Sequence, residues 1–292
     1  MNKQKNVRLT IVIIAWVVSI SLLVCGIWLY FFDKGYAEVN FLSIGHGDSC
    51  VITTAKNHIV VIDGGDSDGG KYTLVPFLKK LGTRDIDSIF VSHMHSDHMN
   101  GIVELLNERI GVSRIYVSKA AQRSDNYKKL DNAARRKGVD IIALNDGDVI
   151  WVDDIKFTVL ASEYNDSDKI DENDSSLVLR FDMGENSILY TGDATKYSEA
   201  RLYGDPNLDV DILKVGHHGS SGSSGREFLL ETSPDFSIIS VGRNNKYTLP
   251  SKKTLDVLKG LDIPVLRTDD NGTLTIKMTE DDILDIKCSN SY

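Results

Sequence analysis

The segment His93-Met94-His95-Ser96-Asp97-His98 constrains this chain more than any other feature. Three imidazoles and one carboxylate fall in one short stretch, directly after the strand-like run Ile86–Val91. Imidazole suits zinc and other borderline metals, and a carboxylate adds a hard oxygen ligand. Side chains alternate along a strand, so His93 and His95 leave its end on the same side. Asp97 and His98 lie past the turn, within reach of a second ion. The spacing suits two cations about 3.5–4 Å apart holding a bridging hydroxide. The alternative is a polar loop that happens to be rich in histidine. Against it, five of the seven histidines (93, 95, 98, 217 and 218) lie in two short clusters.

The second cluster, Val215-Gly216-His217-His218-Gly219-Ser220, follows another strand-like run, Val210–Val215, and opens a Gly/Ser loop. Between the clusters, Ile188-Leu189-Tyr190-Thr191-Gly192-Asp193 is a short strand ending in an acid. Upstream, Ile59–Ile62 runs into Asp63-Gly64-Gly65. Four strands thus each end in a metal-competent residue and a turn, the usual way to carry a site on a rigid scaffold. Taken singly, Asp63 and Asp193 read as turn residues, since Asp before Gly or after it favours turns. Taken with the histidines, both are candidates for the site.

These motifs resemble the metallo-β-lactamase superfamily. Asp63 matches its first aspartate, and His93, His95, Asp97 and His98 match its HxHxDH signature. Asp193 matches its metal-bridging aspartate, and His217-His218 its last histidine motif. Within the superfamily the chain resembles the extracellular nuclease-like domain of ComEC DNA-uptake proteins. The likeness lies in Phe41–Ser49, Asn173–Leu179, Thr191-Gly192-Asp193, His217–Ser220, Ser240-Val241-Gly242 and Asn245-Lys246-Tyr247, and it covers about residues 36–280. It implies an αββα sandwich, two divalent metal ions (zinc or manganese), and His93, His95, Asp97, His98, Asp193 and His218 as ligands.

Three departures stand out. The superfamily's histidine between HxHxDH and the bridging acid has no counterpart, since no histidine lies between His98 and His217. The Asn173–Ser176 stretch takes that place, which leaves the first metal with His93, His95 and Asp193. Thr248-Leu249-Pro250 stands where the family usually has Gly-His-Pro. His46 stands where family members often have Gln; it is read as a loop residue near the site, with a ligand or phosphate contact as the other readings.

The N-terminus is a separate element. Leu9–Phe32 carries no charge and exceeds the roughly 20 residues that span a bilayer as a helix. Lys3, Lys5 and Arg8 precede it, so the positive-inside tendency places residues 1–8 in the cytoplasm and the main domain outside. The expectation is a single-pass signal-anchor over residues 9–32 in the cell membrane, with Trp28 and Tyr30 near the outer interface. A cleaved signal peptide is the competing reading, but its apolar region is usually about 7–15 residues. Cys50 and Cys288 are the two cysteines outside this run, and sequence does not decide whether they pair.

Residues 36–292 read as one ectodomain with 41% hydrophobic and 26% charged residues across the chain, enough apolar material for a large core. The net charge of −9 counts against a generic nucleic-acid binder. It counts less against a nuclease, because bound cations offset acidic charge at a site. The pattern predicts strands at Val39–Ile44, Cys50–Thr53 and His58–Ile62, a helix over Tyr72–Leu81, and a helix running on from the metal loop through Ile102–Arg109. It further predicts a helix over Asp125–Lys137, an acidic loop over 162–174 near the mouth, helices near 195–203, 225–231 and 251–259, and an edge hairpin of Leu274–Met278 with Ile283–Ile286.

The function this suggests is a membrane-anchored metal-dependent hydrolase of a phosphodiester, single-stranded DNA among the candidates. Asp97 would orient the hydroxide or take its proton, and His217 would serve as substrate contact or leaving-group acid. Asp63, His46, Asn173, Ser176, Gly219 and Ser220 would line or support the site, with the Gly219–Ser224 loop offering N–H groups and hydroxyls to an anion. The alternatives are hydrolysis of a lactone, thioester or β-lactam, and a non-enzymatic surface domain with a decayed site.

Overall fold

A computed structural model describes residues 2–32, 34–162 and 171–289, with the side chains of the first helix described for residues 11–26. The first sheet is built from β1 (Ala37–Phe41), β2 (Cys50–Thr53), β3 (Ile59–Ile62), β5 (Ser88–Val91), β7 (Ile115–Ser118), β8 (Ile141–Leu144), β16 (Leu274–Met278) and β17 (Ile283–Cys288). A two-stranded pair, β4 (Asp85–Ile86) with β6 (Gly111–Val112), flanks it. The second sheet holds β9 (Val149–Val152), β10 (Ile155–Ala161), β11 (Val178–Met183), β12 (Asn186–Tyr190), β13 (Ile212–Lys214), β14 (Phe236–Ile239) and β15 (Val265–Arg267). The orders are β17-β16-β1-β2-β3-β5-β7-β8 and β15-β14-β13-β12-β11-β10-β9. Each sheet is antiparallel on one side and parallel on the other. β3, β5, β7 and β8 run parallel, as do β12, β13, β14 and β15. Parallel neighbours need crossovers, and here these bring helices over the outer faces.

Those helices are α2 (Ser67–Gly69), α3 (Val75–Lys80), α4 (Ser96–Leu106) and α5 (Tyr127–Lys137) on the first sheet, and α6 (Lys196–Ala200), α7 (Arg226–Thr232) and α8 (Lys252–Gly260) on the second; α9 (Thr268–Asn271) is one short turn after β15. The two sheets share an inner core of Phe41, Ile52, Ile62, Phe90, Phe157, Phe181, Ile188 and Tyr190. Val51, Val61, Ile89 and Val91 face the other way, onto Leu78, Ile102, Leu105 and Leu130 of the helices. Leu189, Leu213 and Ile239 pack against Phe228 and Leu258. Both faces of the central strands are therefore buried, which explains why they read as apolar runs and not as alternations. The layers are α, β, β, α.

The expected elements are present with shifted ends. The 72–81 helix is a π turn over Gly70–Leu74 that passes into α3. The helix after the metal loop starts earlier than expected, at Ser96, with Asp97 in its first turn where the helix dipole favours a carboxylate. Helix α5 ends on Gly138 in the left-handed conformation, the stop its sequence signals. Of the acidic 162–174 loop, residues 163–170 lie outside the described residues; Glu172–Ser175 is a 3₁₀ turn. Cys50 and Cys288 do not pair. Cys50 stands opposite Phe41, Phe41 opposite Leu274 and Leu274 opposite Cys288, three strand spacings of about 4.8 Å, well beyond disulfide reach.

Residues Asn2–Phe32 form one helix, α1. Among the described residues no helix is long and apolar enough to cross a membrane, so the spanning helix expected over residues 9–32 is not shown, the described side chains of that stretch covering only residues 11–26. The described side chains of α1, such as Ile14, Trp16 and Leu22, are exposed, and those of Trp28 and Tyr30 lie outside the described residues.

Candidate metal centre

The parallel strands of both sheets point their C-terminal ends to one edge. Asp63 follows β3, His93 follows β5, Asp193 follows β12, and His217-His218 follow β13. A fifth group comes from the β1–β2 connection, where Gly47 lets the chain pass the carbonyl of Asp97; a Cβ at Gly47 would collide with that oxygen. Asp48, immediately after it, is fully buried and its N–H donates to the same carbonyl at 3.3 Å.

The imidazoles share one orientation. His98 Nδ1 lies 2.8 Å from Asp63 Oδ2, His218 Nδ1 lies 3.0 Å from the Ser240 carbonyl, and His93 Nδ1 lies 3.1 Å from Ser92 Oγ. In each ring the Nε2 atom is buried and has no hydrogen-bond partner, and Asp193 Oδ1 is also unpartnered. These orphaned atoms converge. One ligand atom each from His93, His98 and Asp193 lies within 4.8 Å of the others, as do those of Asp97, His98 and His218, and of Asp48, Asp193 and His218. His98 Nε2 is 3.3 Å from Asp193 Oδ1, and His218 Nε2 is 3.4 Å from Asp97 Oδ2 and 3.5 Å from Asp193 Oδ2. Buried polar atoms without partners are costly. Divalent cations with nitrogen and carboxylate ligands fit this donor set, and the far ring nitrogens are fixed by carboxylate, carbonyl or hydroxyl as metal-binding histidines require.

Asp63 orients rather than faces the centre. It sits at a positive φ of 56°, receives Ser92 N and Ser92 Oγ at 2.7 Å each, and accepts from Tyr190 OH at 3.1 Å. His217 and His218 occupy left-handed backbone at φ 50° and 52°, a strain of about 1–3 kcal/mol each that the surrounding loop must hold. It splits the pair. His218 is buried in the centre, whereas His217 is half-buried with Nε2 3.8 Å from Asp193 Oδ2.

The other candidates spread around the mouth. His95 caps α4, is partly exposed, and places Nε2 3.5 Å from Glu172 Oε2, outside the converging groups. His46 Nε2 lies 3.0 Å from Asp97 Oδ2, and its ring packs against Tyr247. Ser176 Oγ accepts from Asp193 N at 3.1 Å, while Asn173 is buried with its Oδ1 unpartnered. Gly219 packs on Pro250, away from the cavity. Ser220 lines the cavity. The Gly219–Ser224 loop does not present the row of free N–H groups expected of it. Ser220 N donates to His217 O, Gly222 N to Ser220 Oγ, Ser223 N to Ser220 O, and Ser224 N to Glu199.

Asp48 and Lys214 were missed in the sequence. Lys214 ends β13 on the inward face, in register with Tyr190, and is fully buried. Its Nζ pairs with Asp48 Oδ2 and donates to the Gly192 carbonyl at 3.2 Å; Asp48 Oδ1 lies 3.2 Å from His218 Nδ1. A lysine inside a strand with both neighbours buried was the signal that could have revealed it.

The electrostatics follow from burial. Desolvation works against the Asp48 carboxylate, but Lys214 and His218 overcome it and hold the pKa down to about 2. Desolvation is likewise outweighed at Asp97, by His218 and His46, and at Asp193, by His218 and His98, so both stay far below the usual carboxylate range. Burial and the neighbouring His98 push His93 well down. Burial disfavours the cations of His98 and His218, yet Asp193 and Asp63 raise His98, and Asp193 and Asp48 raise His218 to about 10. Asp48, Asp63 and Asp193 thus hold protons on two imidazoles, positions where divalent cations would take the protons' place. Above this floor opens a cavity of about 710 Å³, lined among others by His46, His95, Asp97, Asp193, His217, Lys246 and Tyr247.

With this geometry, the comparisons with known proteins agree. The metallo-beta-lactamase superfamily matches over residues 44–243, and the chain belongs to that superfamily. The chain is 36% identical to ComE operon protein 3 of Bacillus subtilis (strain 168), over 81% of this chain and 32% of that protein. It is 30% identical to Competence protein ComA of Neisseria gonorrhoeae, over 82% of this chain and 32% of that protein. The resemblance to ComEC-type proteins holds, and the chain spans about a third of the length of these relatives. Among solved structures, the metallo-beta-lactamase fold protein YhfI from Bacillus subtilis shares the fold at a TM-score of 0.54 and 12% identity, over 81% of this chain and 98% of that one.

Proposed function

We propose that this chain is a membrane-anchored phosphodiesterase of nuclease type that works with two divalent cations, zinc or manganese. The observation that carries the reading is the convergence of the unpartnered Nε2 atoms of His93, His98 and His218 on Asp193. His93, His98 and Asp193 form one converging group and Asp97, His98 and His218 another, and these would hold the two cations; His95, which lies outside both groups, would have to leave Glu172 to join His93 and Asp193 on the first. When bound, such cations supply a nucleophilic water of lowered pKa and neutralise charge on a phosphoryl oxygen.

The chain's own residues do the rest. Asp97, held by His46 and His218, orients the attacking water and accepts its proton. Asp63 and the Ser240 carbonyl fix the tautomers of His98 and His218. His217 faces the cavity beside Asp193, placed to contact the departing oxygen. Lys246 at the mouth is exposed and lines the same cavity, where it offers a positive charge to a phosphate. A cavity this polar suits a charged diester better than a lactone or β-lactam ring.

Residues 9–32 anchor the domain on the outer face of the cell membrane, with residues 1–8 in the cytoplasm. The support is the uncharged run after Lys3, Lys5 and Arg8 and its helical backbone. Protease added to intact cells should digest the domain; protection, or a mature N-terminus at Glu38, would refute that topology. For the chemistry, metal analysis of the purified chain is combined with hydrolysis of bis-p-nitrophenyl phosphate, a lactone and nitrocefin. Two metals per chain and turnover of the diester are expected, with the His93/His95 site emptied first by a chelator. A folded chain that takes up no divalent metal, or that prefers nitrocefin, ends the proposal.

A further inference from the structure

A second cavity, of about 250 Å³, lies on the other side of the Gly/Ser loop from the metal centre. One chain segment separates them, since Ser220 lines the metal cavity while Ser221, Ser223, Ser224 and Gly225 line this one. The chain carries a net charge of −9, yet Lys196, Arg226 and Lys253 line this cavity, with Glu227 as the one acid of the lining and Glu199 behind the loop, where it interacts with Lys196. Arg226 and Lys253 are exposed, and among the described residues no carboxylate pairs with either. Lys196 donates to Ser221 O at 2.7 Å and keeps further protons on its ammonium. Ser223 is 1% exposed, and its buried Oγ has no hydrogen-bond partner. Three cations and an unspent hydroxyl form a set that accepts oxygen ligands of an anion.

The loop is built to hold its shape. The Glu199 carboxylate receives N–H groups from Ser224 and Gly225, Ser224 Oγ receives Gly216 N at 3.1 Å, and Thr254 Oγ1 donates to Ser220 O at 3.0 Å. Because Glu199 already occupies the amides at the start of α7, the cavity's anion affinity rests on the side chains of Lys196, Arg226, Lys253 and Ser223.

We propose that this cavity is a phosphate subsite that holds the backbone of a nucleic-acid strand next to the scissile linkage. The proposal rests on the phosphodiesterase reading and sharpens it: the substrate is a polymer of phosphodiesters with a phosphate on each side of the Gly/Ser loop, not a small isolated diester. Lys246 lines the metal cavity and Lys196, Arg226 and Lys253 the second, so positive charge stands on each side of the Gly/Ser loop.

The test is equilibrium binding of a short fluorescent single-stranded oligodeoxynucleotide to the detergent-solubilised full chain, by anisotropy, across a salt series. Arg226→Ala combined with Lys253→Ala should weaken binding about 10-fold at low salt and flatten the plot of log affinity against log salt by about 0.7 for each phosphate left without its cation. Lys80→Ala, on α3 of the other outer layer, should change neither. In turnover, the double variant should lose several-fold more on the oligonucleotide than on bis-p-nitrophenyl phosphate. An unchanged affinity and slope in the double variant, or no oligonucleotide binding by the wild-type chain, overturns the subsite. Failure of the phosphodiesterase reading shows separately, as absence of bis-p-nitrophenyl phosphate hydrolysis in a metal-loaded chain. Metal content and near-ultraviolet circular dichroism of the variants report whether the fold is kept.

Discussion

The floor of the metal cavity and its rim use the same residue types under opposite conditions. On the floor, Asp48, Asp193, His98, His218 and Lys214 are almost fully buried, and their charges meet across a few ångströms. At the rim, His46, His95, His217 and Lys246 are partly or well exposed; His95 and His217 reach their nearest carboxylates only at 3.5 and 3.8 Å, and His46 alone comes close, at 3.0 Å from Asp97. The difference teaches where replacement is tolerated. A buried ion pair that loses one partner leaves an uncompensated charge, whereas an exposed one loses little. The floor therefore fixes chemistry and stability together, and the rim is free to set what is bound.

The largest expected effect lies where floor and rim meet. Asp97 contacts His46 at the rim and His218 on the floor. Asp97→Asn keeps size and shape but removes charge and basicity. Turnover of bis-p-nitrophenyl phosphate should fall by about 10²–10⁴, the range for a positioned acid–base group, with the thermal midpoint nearly kept. A variant with more than a tenth of wild-type turnover would remove Asp97 from the proposed chemistry.

Next comes Lys214→Met. It leaves Asp48 buried without its cation, and loss of one partner of such a pair costs about 3–5 kcal/mol. Thermal unfolding of the detergent-solubilised chain should show a large fall in midpoint. If the midpoint barely moves, the floor is not the rigid charged unit described above.

How far the sequence showed this contrast depends on which constraint was local. The strand ends were legible because β3, β5, β12 and β13 are short apolar runs that stop at Asp63, His93, Asp193 and His217. The cluster His93–His98 was legible because four metal-competent side chains sit within one turn and one helix start. Asp48 and Lys214 were not, because their meeting is made by pairing across the sandwich, Asp48 from the first sheet and Lys214 from the second. The expected anion nest at Gly219–Ser224 failed for a similar reason. Glycine and serine spacing shows a loop, but not that Glu199, on a different helix, takes the amides of Ser224 and Gly225 while His217 and Ser220 take those of Ser220, Gly222 and Ser223. Boundaries drifted where capping decided them, as at Ser96, which starts α4 beside the metal residues.

Glu199 offers a smaller effect with a defined pH window. Burial outweighs the N–H groups of Gly225 and Ser224 and lifts its pKa from 4.5 to about 7. The folded protein then binds this proton more tightly than the unfolded chain does, so the associated stability is complete below about pH 4.5 and is lost as pH rises through 7. Glu199→Gln cannot titrate. The stability of the wild type relative to this variant should therefore fall by roughly 1–3 kcal/mol between about pH 4.5 and pH 8. Thermal midpoints of both proteins at the two pH values measure it; a difference that stays constant, or grows with pH, contradicts the placement of the carboxylate against the loop.

The smallest effect belongs to the surface and calibrates the rest. Asp131 and Arg135 pair one helical turn apart on α5, with Arg135 Nε 2.8 Å from Asp131 Oδ2 and the arginine side chain 76% exposed. The sign of the pair suits the helix, since the acid is N-terminal and the base lies in the last turn. Water screens it and side-chain entropy opposes it, so it contributes little to stability. Arg135→Ala should lower the thermal midpoint by no more than about a degree, less still at high salt, and should leave metal content at the wild-type value. Both this pair and Lys214–Asp48 are close contacts between one cation and one carboxylate. If Arg135→Ala costs as much as Lys214→Met, burial is not what separates them, and the distinction between floor and rim fails as an account of where this protein is vulnerable.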